Sequence, residues 1–156
     1  MHFAVAAGSD VGRVRKGNED SFFADANEYR GLFIVADGMG GHAAGEVASQ
    51  MAVEVVSADL EKLKDLESAD ALEMVSLALR HANRAVFERS AAERDKMGMG
   101  STASVLVLAD ERFIIGHLGD SRIYLFRDGE LRQITHDHSV VQEQIDAGLI
   151  TRDAAK

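Results

Sequence analysis

The sequence predicts an α+β protein in which a pair of helices packs on antiparallel sheet. Three observations carry this. Short apolar runs bounded by turn residues occur before residue 37 and again after residue 101. Between them, apolar residues recur at three- and four-residue spacing for two helix lengths. The strands follow one another through tight turns, which favours antiparallel pairing over βαβ units.

In chain order, Phe3–Ala7 reads as a short strand and Gly8-Ser9-Asp10 as a turn. The segment VGRVRKGNED (11–20) is polar and basic, and Ser21–Ala26 reads as a second strand. Asn27–Gly31 forms a hairpin connection into the buried strand Leu32–Ala36. Asp37 and three nearby glycines (Gly38, Gly40, Gly41) then lead into helical sequence. Val47, Ala48, Met51, Ala52, Val55 and Leu60 line the first helix, ending near Leu63. After the charged linker Lys64–Asp70, the second carries Leu72, Val75, Leu79, Ala82, Val86 and Phe87. Met51 and Met74 belong to these stripes as core fillers.

Met97–Gly100 reads as a loop. Strands are then expected at 104–109, 112–118, 122–127 and 130–135, with hairpin turns at Asp110-Glu111 and Asp128-Gly129. Ser139–Ala147 is a short helix with Gly148 near its end. The order is β-β-β-α-α-β-β-β-β-α. No repeat or linker divides the 156 residues, so one domain is expected.

The net charge of −9 argues against a partner with a phosphate backbone. It suits carboxylates gathered for cations. With no cysteine, disulfides and thiolate metal sites are excluded, and a cytoplasmic setting is expected. Neither a signal peptide nor a membrane-spanning run is recognisable. With no proline, turns fall to the 14 glycines and to Asn, Asp and Ser.

Glu19, Asp20, Asp37 and Asp120 sit at strand ends beside glycine or arginine rather than on helix faces. Oxygen donors without cysteine or paired histidine select Mg²⁺ or Mn²⁺. Two such ions can clamp a phosphate and activate a water. Arg15 is the natural partner for a substrate phosphate, with Arg13 and Arg122 as competitors. Taken singly, each acid is better explained as a turn or capping residue. His136 and His138 are read as loop residues rather than paired ligands, His42 as a candidate acid or helix-entry residue, and His117 as structural. Gly38–Ala43 also fits G-x-G-x-x-A, a dinucleotide fingerprint. Asp37 would repel a pyrophosphate there, and no acid-ended strand follows the helix.

Together, SDVGRVRKGNEDS (9–21), VADGMGGHAAGEVAS (35–49), GSTAS (100–104), HLGDSRIY (117–124) and ITHDHSVVQEQIDAGLIT (134–151) resemble the metal-dependent type 2C (PPM) serine/threonine protein phosphatases of bacteria. The resemblance implies an antiparallel β-sandwich flanked by helices, with a flap beginning near Ser139. It implies Arg15 on the substrate phosphate and Glu19, Asp37 and the Gly38 carbonyl as ligands of two Mn²⁺ or Mg²⁺ ions. Asp20 would hold a metal-associated water and Asp120 a third ion. The implied reaction is hydrolysis of phosphoserine or phosphothreonine by metal-activated water, on targets of serine/threonine kinases. Met39 stands where some members carry a histidine. The family's pattern continues past the position of Lys156 with segments that supply further aspartates. The chain is therefore expected to be C-terminally incomplete, and a catalytically silent binding module is the alternative.

Overall fold

A computed structural model describes residues 2–40, 44–109 and 111–155. Strands β1 (Asp20–Ala26), β2 (Arg30–Met39), β3 (Gly100–Ser101), β4 (Ala103–Ala109) and β5 (Arg112–Leu118) form one antiparallel sheet. Its order is β1-β2-β4-β5, with β3 also paired to β2. Strands β6 (Tyr124–Arg127) and β7 (Glu130–Gln133) make a separate two-stranded sheet. Helices α1 (Ala44–Leu60), α2 (Ala71–Ala92) and α3 (Val140–Asp146) complete the element list, with a 3₁₀ turn at Arg94–Lys96. The architecture is α+β, as expected.

Alternation along β2 builds the core. Leu32, Ile34 and Ala36 are buried towards the helices, and their partners on β4 include Val107 and Val105. Against them pack Ala52, Val53, Val56 and Leu60 of α1 and Val75, Ala78, Leu79 and Ala82 of α2. Each fully buried aliphatic side chain of this layer contributes about 1.5–3 kcal/mol. The sheet's other face leaves Phe22, Val35 and Phe113 half exposed. The expected sandwich is thus one complete helix-backed sheet plus the β6–β7 hairpin among the described residues.

Several sequence expectations need correction. Phe3–Ala7 is not a strand: this segment is irregular, and Phe3 meets Phe33 edge-on at 6.4 Å between ring centroids. Strand β2 runs on through Asp37 to Met39, because Gly38 and Met39 pair with Ser101 and Gly100. That pairing also converts the end of the expected 97–100 loop into strand. On α1 the small residues Ala48, Ser49 and Ala52 face inward, and Val47, Met51 and Val55 flank them half buried. On α2, Leu72 and Phe87 point to solvent, since the buried stripe runs through Val75, Ala78, Leu79, Ala82 and Val86.

The hairpin turns at 27–31 and 128–129 form as expected, whereas Gly8-Ser9-Asp10 is irregular and the chain turns at 12–14 instead. Asp128 and Gly129 both take positive φ, the two-residue hairpin geometry that Asp-Gly favours. Asn27 accepts from the amides of Tyr29 and Arg30, which turns β1 into β2. Ser139 caps α3 by accepting from Gln142 N. Asp110, Gly41, His42 and Ala43 lie outside the described residues, so the Asp110-Glu111 turn and the role of His42 rest there.

Candidate metal and phosphate site

Pairing places the acids. Asp20 stands opposite Asp37 across β1 and β2. Gly38 N donates to Glu19 O at 3.0 Å, so Glu19–Gly38 is the hydrogen-bonded pair. Asp20–Asp37 is then the closer, non-hydrogen-bonded pair, where side chains approach most. Both aspartates are exposed while Ala36 and Gly38 are buried, so both leave the sheet on its outer face. Around them opens a cleft of about 410 Å³, walled by Ser9 and Asp10 on one side and Ser121 and Arg122 on the other. A larger apolar groove of about 480 Å³ separates α2 from β5, but its walls carry no acid.

The electrostatics single out Asp37. Its carboxyl is held above the ordinary 3.8, first by partial burial, then by the charges of Asp20 and Asp120, with Arg15 acting in the opposite direction. Asp120 is therefore within electrostatic reach of Asp37 although it follows β5 in a distant part of the chain. Its loop is held in place: His138 N donates to Gly119 O at 2.7 Å, and Gly119 N donates to His138 Nδ1 at 3.3 Å. Arg15 lies 4.0 Å from Glu19 with its side chain 73% exposed.

Glu19 is set by a close strand–helix contact. A Cβ on Gly38 would collide with the Gly45 carbonyl, and one on Gly45 would collide with the Glu19 carboxylate. Two glycines thus let the start of α1 approach β2 and Glu19 more closely than side chains permit.

Arg15, Glu19, Asp20, Asp37, Gly38 and Asp120 are all placed around this end of the sheet. Among the described residues, however, no three acid or histidine side chains converge tightly on one ion position. The donor set still suits a hard divalent cation: oxygen ligands only, with mutually repelling carboxylates. Arg122, the competing candidate, lines the cleft already engaged with a carboxylate. Its guanidinium grips Asp137 with Nε at 2.9 Å from Oδ1 and Nη2 at 2.6 Å from Oδ2. His136 bonds Asp146 at 2.7 Å rather than pairing with His138 as a ligand. His117 is structural, its Nδ1 at 2.8 Å from Ser104 Oγ, and burial together with His138 lowers its pKa.

Thr102, Ser121 and Asp137 were not anticipated individually. Their segments stood out in the sequence, but nothing in a run such as GSTAS reveals which hydroxyl bonds across the sheet.

A helix-backed antiparallel sheet with an acid-lined cleft at one end is the class of protein that the fold and site define. The Protein phosphatase 2C family profile matches residues 8–147, and the chain belongs to that family. It is 47% identical over 151 residues to the serine/threonine protein phosphatase PstP of Mycobacterium tuberculosis, covering 96% of this chain and 28% of PstP. The serine/threonine phosphatase stp of Listeria monocytogenes is 38% identical over 149 residues, covering 94% of this chain and 59% of its own length. Among solved structures, the catalytic domain of PstP in complex with two manganese ions superposes with a TM-score of 0.78 at 47% identity, covering 96% of this chain and 62% of that one. The Streptococcus agalactiae serine/threonine phosphatase gives 0.83 at 34% identity, covering 92% of this chain and 60% of that one. The chain thus spans less than two thirds of the length of each of these relatives. Among the described residues, no helix is long and apolar enough to cross a membrane.

Proposed function

We propose that this chain carries the substrate-facing part of a divalent-cation-dependent phosphatase for phosphoserine and phosphothreonine in proteins. The observation that carries the reading is Asp37, an exposed carboxylate held above its ordinary pKa beside Asp20 and Asp120. Such an unrelieved cluster in a cleft is what a bound cation would relieve. The names of the similar PstP and stp proteins, and the two manganese ions of one PstP structure, support the same reading.

In this reading Asp37, Glu19 and the Gly38 carbonyl would hold two ions, Asp20 would orient a water, and Asp120 would serve a third. When bound, Mn²⁺ or Mg²⁺ supplies charge neutralisation and a lowered water pKa. Arg15 receives the substrate phosphate through paired hydrogen bonds. The exposed outer face lets a phosphorylated loop enter without displacing core side chains. The domain is single, with the flap starting near Ser139, and its substrates are cytoplasmic targets of serine/threonine kinases.

The test is hydrolysis of a phosphothreonine peptide by the 156-residue chain across an Mn²⁺ titration. Mn²⁺-dependent turnover is expected, abolished by chelator and reduced about 100-fold or more in Asp37→Asn. Turnover indifferent to chelator, or intact in Asp37→Asn, would reject the assignment. A folded chain that binds Mn²⁺ and phosphopeptide without turnover would point instead to a silent binding module.

A further inference from the structure

We propose that the hydroxyls of Thr102 and Ser121 form a positioning pair that sets the separation of Asp37 from Asp120. The proposal deepens the reading above and rests on it for its cation-binding consequence.

The ladder between β2 and the β3–β4 segment keeps one register throughout, Val35 opposite Ser104 and Gly38 opposite Ser101. Thr102 therefore stands opposite Asp37. Half of the expected exchange is made: Thr102 N donates to Asp37 O at 2.9 Å. The other half is not a backbone bond. Asp37 N donates to the Thr102 side-chain Oγ1 at 2.9 Å, and the Thr102 carbonyl accepts from Ser101 Oγ at 2.8 Å instead. Ser101 Oγ also lies 3.2 Å from Asp37 O. The peptide bearing the central carboxylate is thus clamped by hydroxyl groups at the point where β4 gives way to β3.

A carbonyl in that place would tie strand to strand and reach no further. A hydroxyl accepts and donates at once, so it can extend the connection out of the sheet. Thr102 Oγ1 lies 2.7 Å from Ser121 Oγ, and Ser121 is the neighbour of Asp120. The approach is built in. Gly119 holds φ at +100°, and a Cβ there would come within 2.6 Å of Thr102 Cγ2, so only a bare backbone lets this loop press on Thr102. Two hydrogen bonds thus run from the Asp37 amide to Ser121, through a part-buried hydroxyl where such bonds strengthen one another. They join carboxylates that the chain separates widely and that neither β-ladder connects.

The experiment is an Mn²⁺ titration followed by the electron paramagnetic resonance of free Mn²⁺, with ¹⁵N–¹H correlation spectra of the same samples. Thr102→Val keeps shape and removes the hydroxyl; its Mn²⁺ affinity is expected to fall about tenfold. Ser121→Ala should weaken binding similarly, and the double variant no more than the weaker single one, because both remove one connection. Thr102→Ser should restore binding to within about twofold. In the spectra, Ser121→Ala should shift the Asp37 amide although no direct bond joins the two residues. Additive losses, an unrescued Thr102→Ser, or an unmoved Asp37 amide would overturn the proposal. If the parent chain takes up no Mn²⁺, the functional reading fails, and the Asp37 amide shift alone still decides whether the pair exists.

Discussion

Asp37 and Asp137 are the same side chain used in opposite ways. Asp137 is 9% exposed and gripped by the Arg122 guanidinium, with Gln133 Nε2 donating at 3.1 Å. Arg122 first, and Gln133 further, hold its carboxyl below the ordinary 3.8. Asp37 is exposed and faces other acids, and its carboxyl is held above that value. One charge is satisfied and fastens the 119–123 loop to the segment leading into α3. The other is left unsatisfied in an open cleft. In an acid-rich chain, the unsatisfied carboxylate marks the place for a ligand and the satisfied one marks the scaffold.

The comparison can be broken first at its base. Gly38→Ala places a methyl group against the Gly45 carbonyl and near Glu19 O, on backbone that cannot rotate away. A loss of about 3 kcal/mol or more is expected, read by urea denaturation. An unchanged midpoint would mean that α1 does not depend on this contact. Next in size is Asp137→Ala, which strips a bidentate partner from Arg122. Because the guanidinium is about half exposed, water recovers part of the loss, and Tm should fall by about 4–8 °C.

Acidification separates the two aspartates by sign. Asp137, with its folded pKa depressed, contributes stability above about pH 4 that is lost as pH falls through and below 3.8. Asp37, with its folded pKa raised, binds its proton more tightly in the folded state. Without divalent ions it therefore lowers stability as pH rises through the range just above 3.8, and the penalty persists at neutral pH. A plot of Tm against pH should have a shallower acid limb in Asp137→Asn, with Glu93, Asp95 and Asp146 still contributing, and a weaker descent above pH 4 in Asp37→Asn. The smallest effect follows: Asp37→Asn should raise Tm by about 1–3 °C at pH 7 in chelator. Mn²⁺ should raise the Tm of the parent chain and leave that of Asp37→Asn unchanged. A parent chain insensitive to Mn²⁺ would remove the functional side of the contrast.

The hairpin turn at Asp128-Gly129, the two helices and the apolar strand around Ile34 were legible because each depends on residues within a few positions of one another. Apolar spacing, turn chemistry and helix-forming runs are local properties, and they suffice for an α+β assignment. Arg15, Glu19, Asp20, Asp37 and Asp120 stand out in the sequence as strand-end acids with an arginine nearby, and the order of five recognisable segments adds a role for each as an expectation. Periodicity misjudged Phe3–Ala7, Leu72 and Phe87, because an apolar residue is buried only if the fold brings something to cover it.

What the sequence by itself determined is which residues are available: hard oxygen donors, several arginines, no thiolate, and strands joined by turns too short for parallel crossovers. Only the tertiary structure decided which carboxylate would be paired and which left open. That choice depends on cross-strand register and loop approach. Asp20 meets Asp37 through a ladder, Ser121 beside Asp120 bonds the Thr102 that stands opposite Asp37, and Asp137 finds Arg122 from the far side of a hairpin. Pairing energies of charges depend on distance and burial in space, and neither quantity is written in the spacing of residues along a chain.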